Sequence, residues 1–348
     1  MNHHSPDDDL DDLNDQISSS IRVKNIPRKK VRGKAPDPNQ PTIRRKENHR
    51  ILANLDDQID HRFSMTYKAS RHEAIWLEES LQNFFLHKWF DDVLRMIKGG
   101  KEASVYLCQG NETTGLAYLA AKVYRPRQFR NLKNDWLYRE GRANLDESGN
   151  LIKNKGMLHA INKRTEYGRT LLHTSWLEHE FSTLKLLHEA GADVPKPLAS
   201  DPNVILMEYF GDEVMGAPTL NDINLATGEA RILFERVEHN IDLMLAHNRI
   251  HADLSAFNIL YWEGEIVLID FPQAIHPNEN RSAFHIFERD VIRVGEYFQR
   301  QGVKNNPRKL AADLWQKHLF RFVPLADPKI IGDDREDERD IWESLKNT

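Results

Sequence analysis

The sequence predicts an α+β fold in two parts, the first rich in strands and the second helical. Three observations carry this. Strand-like apolar segments cluster between Val93 and Tyr124 and return at Val204–Phe210. From Glu229 onward amphipathic helical spacing dominates, at 229–247, 282–298 and 307–322. One hairpin interrupts the helical part, in HADLSAFNILYWEGEIVLID from His251 to Asp270. There Ile259-Leu260-Tyr261 and Ile266-Val267-Leu268-Ile269 read as strands around a turn at Trp262–Glu265.

The chain has 348 residues, enough for one two-lobed domain or two smaller ones, and 40% of them are hydrophobic, enough for a sizeable core. A net charge of −5 argues against polyanion binding by the molecule as a whole. Cys108 is the only cysteine, which excludes an intramolecular disulfide framework and a Cys-based zinc site and suits a reducing cytoplasm. No apolar run approaches the roughly 18 residues of a membrane span. The N-terminus is rich in His and Asp, without the basic-then-apolar pattern of a signal peptide. The expected location is therefore cytoplasmic, with no membrane contact.

Residues 1–60 are expected to form a disordered charged arm. Asp7, Asp8, Asp9, Asp11, Asp12 and Asp15 precede a basic stretch with Arg28, Lys29, Lys30, Arg32 and Lys34, and large apolar residues are too few to offset ordering entropy. Within 61–90 a helix follows, packed on the next domain: Ser70-Arg71-His72-Glu73 spells a capping box, and Ala74, Leu77, Leu81 and Phe84-Phe85 keep helical spacing. In VLRMIKGGKEASVYL, strands flank Gly99-Gly100-Lys101-Glu102-Ala103. Glycines there let backbone N–H groups approach phosphates, although this is neither a Walker A loop nor a full G-x-G-x-x-G.

Lys122 interrupts the strand Leu119–Tyr124. Facing inward it needs a counter-charge, and the plain alternative is an outward lysine on an edge strand. Ser175-Trp176-Leu177-Glu178 predicts the start of a helix with Leu177, Phe181, Leu184 and Leu187 on its apolar face and Gly191 at its C-terminal cap. Glu178 is assigned to capping and Glu180, nearer the apolar face, to Lys122. Between them Arg125–His173 reads as one long connection with 11 basic and 5 acidic residues. Trp136, Tyr138 and Tyr167 are interleaved, which suits RNA as well as it suits a solvated insertion. Val194-Pro195-Lys196-Pro197 predicts a rigid extended connector, and Val204–Gly211 a buried strand running into a hinge. Asn306-Pro307 predicts an N-cap with Pro at N1, and 326–348 is a charged tail.

The chemistry is concentrated in the hairpin. His251, Asp253, Leu254 and Asn258 meet the H-x-D-L-x-x-x-N pattern, and Asp270 closes the second strand. Phosphoryl transfer needs one carboxylate to orient or deprotonate a nucleophile, plus an Asn and a second carboxylate for Mg²⁺. The upstream pieces stand in kinase order: Gly loop, strand Lys, helix Glu, hinge.

Eight stretches together are similar to one family: GKEASVY (Gly100–Tyr106), HEF (His179–Phe181), VPKP (Val194–Pro197), LMEYFGDE (Leu206–Glu213), APTLND (Ala217–Asp222), HADLSAFNILY (His251–Tyr261), LIDFPQA (Leu268–Ala274) and ERDVIRV (Glu288–Val294). Over roughly Asp91 to Gln301 the chain resembles the RIO atypical serine/threonine protein kinases, RIO1-like and bacterial members above all. The resemblance implies a trimmed bilobal protein-kinase-like fold in 91–325, with a β-rich N-lobe at about 91–207, a helical C-lobe at about 211–325 and no full activation segment. Only a short stretch separates Asp270 from the helix at Ser282, and there is no APE motif.

The resemblance further implies ATP with Mg²⁺ or Mn²⁺. Gly99, Gly100 and Lys101 would lie at the phosphates, Lys122 on the α- and β-phosphates with Glu180 as its partner, and the backbone of Glu208 and Phe210 at adenine. Asp253 would be the catalytic base, and Asn258 and Asp270 the metal ligands. Asp270 would also accept the phosphoryl group, giving an aspartyl-phosphate and an ATPase switch. Partners would be a protein substrate or the chain itself, and ribosomal RNA or a ribosome-assembly particle.

Two positions depart from the family pattern. Lys98-Gly99-Gly100 replaces Ser-Thr-Gly, and Phe271-Pro272-Gln273 replaces Val-Ser-Gln, so that Pro272 removes a backbone donor. The competing readings are a small-molecule phosphotransferase of the aminoglycoside or choline kinase type and an RNA-binding assembly factor with little turnover. GKEASVY and LMEYFGDE favour the protein kinase over the first. Intact Lys122, Asp253, Asn258 and Asp270 argue against a non-catalytic protein.

Overall fold

A computed structural model describes residues 63, 65–100, 102–125, 142–318 and 320, all within the unit His61–Thr348. The expectations for the arm 1–60, for Lys101 and for the tail 326–348 lie outside the described residues.

Helix α1 (Arg71–Leu86) leads into strands β1 (Phe90–Lys98), β2 (Ala103–Gly110) and β3 (Tyr118–Tyr124). Helices α2 (Lys155–Asn162) and α3 (Glu166–Glu189) follow, then strands β4 (Pro197–Asp201) and β5 (Val204–Glu208). The five strands form one antiparallel sheet in the order β1-β2-β3-β5-β4. Side chains alternate across a strand, and β3 shows what that does here. Leu119, Ala121 and Val123 join Val204 and Leu206 of β5 and Leu77, Leu81 and Phe84 of α1 in one core. Ala120 and Tyr124 join Ile205 and Met207 and the α3 residues Trp176, Leu177, Leu184 and Leu187 in the other. Both faces of the sheet are therefore covered, which explains the nearly continuous apolar reading of these strands. Lys122 belongs by parity to the α3 face.

The Ser70 side chain accepts the Glu73 N–H at 3.4 Å, so the N-cap forms as the sequence predicts. Glu73 does not complete the box. Its carboxylate instead accepts the hydroxyls of Tyr106 at 2.8 Å and Tyr67 at 3.2 Å, pinning α1 to the sheet.

Three expectations are corrected. Helix α3 starts at Glu166, capped by Thr165, rather than at the Ser175 box, which lies in mid-helix. Ser175 accepts the Leu145 N–H there, at 2.9 Å. The 125–173 connection is accordingly not all loop: α2 packs on α3 through Ile161 and Leu171, with Ile152 of the segment before α2 in the same buried cluster. This crossing needs Gly168, since a Cβ on it would lie 2.0 Å from the Ala160 carbonyl oxygen. Finally, Pro197 opens strand β4 instead of ending a connector. Proline is tolerated there because β4 is an edge strand.

The helical part contains α4 (Thr227–Ala246), the hairpin β6 (Ile259–Trp262) and β7 (Glu265–Leu268), α5 (Ala283–Arg300) and α6 (Pro307–Lys317). Glu263 and Gly264 both have positive φ, 51° and 88°, as a two-residue hairpin turn requires. Asn306 caps α6 through the Lys309 N–H with Pro307 behind it, as predicted. The helix ends at Lys317, short of Phe322, where Lys317 and His318 turn to Asp242 of α4. Only a short loop joins Asp270 to α5, in keeping with an absent activation segment.

Candidate active site

Lys122 brings three elements together. Its Nζ lies 2.7 Å from Glu180 Oε1 on α3 and 2.6 Å from Asp270 Oδ1 beyond β7. Burial alone would lower the ammonium pKa, but Asp270 and Glu180 outweigh it and raise it well above the ordinary lysine value. For Asp270 burial pushes upward and Lys122 wins, so the carboxyl sits below its usual range. Asp270 keeps 43% of its side chain open, so solvent screens part of that pairing. Glu180 is 1% exposed, and its second oxygen accepts the Tyr124 hydroxyl. Tyr124 stands two residues after Lys122 on the same face of β3, a spacing that marks it in the sequence as a neighbour of the lysine. Glu178 points away to Ser200 Oγ at 3.1 Å on β4 and has no capping role, a further correction.

The double substitution of Lys122 and Glu180 tests this pairing. Lys122→Ala and Glu180→Gln are each expected to reduce turnover, with an interaction energy of about 0.5–3 kcal/mol between them. Strict additivity in the double-mutant cycle would mean that the two charges do not meet in the working enzyme.

The second cluster is built by His251, 1% exposed. Its Nδ1 accepts the Asp253 N–H at 3.3 Å, which leaves Nε2–H to donate to the Ile269 carbonyl at 3.0 Å. One imidazole thus joins the Asp253 loop to the strand end before Asp270. Ala252 and Asp270 both hold left-handed φ, 69° and 72°, sparsely populated for non-glycine residues. Arg289 donates to the Ala252 carbonyl at 2.6 Å and so fixes the first of them.

Asn258 gives its amide nitrogen to the Asp253 carbonyl at 2.8 Å and to Asp253 Oδ2 at 3.3 Å. Arg293 pairs with Asp253 Oδ1 at 3.1 Å. Burial and the neighbouring Asp290 carboxylate push Asp253 up to about 6, against the charges of Arg293 and Arg289. With 42% of the side chain open, water moderates the burial contribution. Arg289 and Arg293 stand one helical turn apart in ERDVIRV, and that spacing puts them on one face of α5. Neither is among the site residues expected from the sequence.

At the loop, a Cβ on Gly100 would lie 2.8 Å from the Ala103 carbonyl oxygen, so the backbone approach there requires glycine. Gly99 has only Met96 within reach. At the hinge the Glu208 N–H goes to the Lys196 carbonyl and the Phe210 carbonyl accepts the Ala217 N–H. The Phe210 N–H has no partner among the described residues.

The RIO domain family model matches residues 104–310, more than half of the chain. The RIO-type serine/threonine-protein kinase Rio1 of Thermoplasma acidophilum is 30% identical over 135 residues, 39% of this chain and 69% of its own. The protein of the same name from Haloferax volcanii is 29% identical over 246 residues, 69% of each chain. Human serine/threonine-protein kinase RIO1 is 30% identical over 161 residues, 46% of this chain and 26% of its own, so the similarity spans only about a quarter of that relative. Among solved structures, the granulovirus kinase PK-1 of Cydia pomonella aligns over 56% of this chain and 55% of its own at a TM-score of 0.35 and 14% identity, too distant to bear on the fold.

Proposed function

The chain belongs to the RIO family of serine/threonine-protein kinases, and from that premise we propose that it moves the γ-phosphoryl group of ATP to a hydroxyl of a protein substrate or of itself. The observation that carries the reading is Lys122 held between Glu180 and Asp270, with Asp253 and Asn258 on the adjoining loop. The names of the relatives favour a protein hydroxyl over a small-molecule acceptor.

The donor set suits a hard cation. Asn258 turns its amide nitrogen to Asp253, which leaves its carbonyl oxygen for a metal, and Asp270 has an oxygen that Lys122 does not use. Two protein oxygens fit Mg²⁺ (or Mn²⁺), which keeps waters and takes phosphate oxygens. Among the described residues no group of three or more His, Cys, Asp or Glu forms an all-protein cage. When bound, the ion would neutralise charge on the β- and γ-phosphates.

The chain's own residues do the rest. Lys122 binds the α- and β-phosphates, and the Gly99–Gly100 backbone covers them. The backbone at Glu208 and Phe210 receives adenine. Asp253 accepts the proton of the attacking hydroxyl as its oxygen bonds to phosphorus and the bond to the β–γ bridging oxygen breaks, releasing ADP. In the ATPase branch an Asp270 oxygen attacks instead, and water then cleaves the acyl phosphate to restore the carboxylate. An assay of the purified chain with [γ-³²P]ATP and Mg²⁺ tests this, acid-stable product marking the hydroxyl route and acid-labile product the acyl route. The absence of both phosphoryl transfer and phosphate release would overturn it.

The exposed faces of α2 and of the turn into α3 favour a polyanion, RNA in the first instance, as a further partner. Lys153, Lys155, Lys163 and Arg164 are exposed there beside Tyr167, which is 57% open. Replacing those four cations with Ala is expected to flatten the salt dependence of RNA binding, by about 0.7 in log–log slope for each phosphate that is no longer neutralised. An unchanged slope places RNA binding elsewhere on the chain. Arg127, Arg130, Lys133 and Arg139 of the same connection lie outside the described residues. No described helix is long and apolar enough to cross a membrane.

A further inference from the structure

Arg142 is no part of the phosphate, metal or base machinery, yet it reaches the loop that carries Asp270. Its Nη1 donates to the Pro272 carbonyl at 3.1 Å and its Nη2 to the Ala274 carbonyl at 2.7 Å. Both acceptors lie just past Asp270. The residues that follow Arg142 are fastened to the other side of the site. The Ala143 carbonyl accepts the His179 ring N–H at 2.6 Å, and the Leu145 N–H goes to Ser175 Oγ at 2.9 Å, both on α3. Burial lowers His179 to about 4, so its ring is neutral and able to make that bond at physiological pH. His179 is the neighbour of Glu180.

The loop after Asp270 needs such support. Asp270 holds a left-handed φ of 72°, a conformation that persists only where the surroundings over-determine it. Other anchors act on the near end: the His251 ring holds Ile269 and lies 4.6 Å from the buried ring of Phe271. At the far end Ile275 pairs with Ile250. Between them Pro272 has no N–H to give, and the turn keeps one backbone bond of its own, Ala274 N–H to the Phe271 carbonyl at 3.1 Å. The Pro272 and Ala274 carbonyls are those that Arg142 takes. A planar guanidinium spans two acceptors at fixed spacing, which a lysine cannot.

We infer that Arg142 is a positioning residue for the Asp270 loop, and that the segment Arg142–Leu145 ties that loop to α3, so that both acids flanking Lys122 are set by one strap. Its catalytic consequence rests on the proposed function; its positioning consequence does not. The test uses the full chain with Arg142→Ala and Arg142→Lys. Amide hydrogen exchange at Ala274 and Ile275 is expected to speed up by about tenfold or more in Arg142→Ala, and less in Arg142→Lys, since charge-assisted bonds are among the stronger ones. Amides of α5 and α6 serve as the internal reference and should not change. The Mg²⁺ concentration at half-maximal binding of a fluorescent ATP analogue should rise by about tenfold, while binding of the analogue in EDTA stays at the wild-type level.

Unchanged exchange at Ala274 and Ile275, or an even rise across the whole molecule, would overturn the inference. So would equal loss of binding with and without Mg²⁺. If Arg142→Ala does not fold, Arg142→Lys against wild type carries the same comparison. If even the wild type binds no nucleotide, the functional reading fails and the exchange measurement still decides the role of Arg142.

Discussion

Asp253→Asn is expected to lower phosphoryl transfer by about 10²–10⁴-fold, the range that a positioned base contributes to proton transfer. The substitution keeps an oxygen for Arg293, at 3.1 Å in the native protein, and keeps the size of the side chain. It removes the basicity. MgATP affinity should stay near that of the wild type, because Lys122 and Asp270 are untouched and Asn258 keeps its 2.8 Å bond to the main-chain carbonyl of residue 253. Steady-state transfer and equilibrium nucleotide binding, measured on the same preparation, separate the two effects. A variant that retained full transfer would show that no proton passes to this carboxylate.

Asp270→Asn should have an effect of similar size, about 10²–10³-fold or more in transfer, and a different signature. Asparagine is among the few residues that accept the left-handed φ of 72°, so the backbone is preserved while the charge is lost. The Mg²⁺-dependent part of ATP binding should weaken, and acid-labile phosphoprotein should vanish. Lys122 would keep Glu180 alone as its counter-charge. Equal ATP affinity in wild type and variant with Mg²⁺ present would rule out Asp270 as a ligand of the ion.

The hairpin and its carboxylates are legible in the sequence because their spacing is local: two short apolar runs and one two-residue turn fix where Asp253, Asn258 and Asp270 must stand. Lys122 is legible as a charge in an otherwise apolar strand, and Glu180 as the acid nearer the apolar face of its helix. The misreadings have a common cause. Ser175-x-x-Glu178 spells a helix start, but the hydrogen bonds that decide the matter come from Leu145 and Ser200, far away in sequence. Strand β4 is hidden because two prolines signal a connector, and only its edge position lets Pro197 in. Arg142, Arg289 and Arg293 act on backbone or side-chain atoms 37 or more positions away, and no local pattern marks such a partner.

The two-sided sheet changes what counts as the unit of this protein. The match to the family model begins at residue 104, inside β2, whereas the sheet's first strand β1 and the helix α1 that covers one face of the sheet lie upstream of it. The span matched by the family model and the mechanically complete unit thus have different borders. A fragment cut to the similarity would leave Tyr106, Cys108, Leu119, Ala121, Val123, Val204 and Leu206 without their cover, turning a core into a sticky surface. It would also strip the outer support from β3, the strand whose opposite face presents Lys122. The N-terminal helix is therefore chassis rather than ornament: residues outside the matched span decide whether the strand that carries Lys122 can hold its shape.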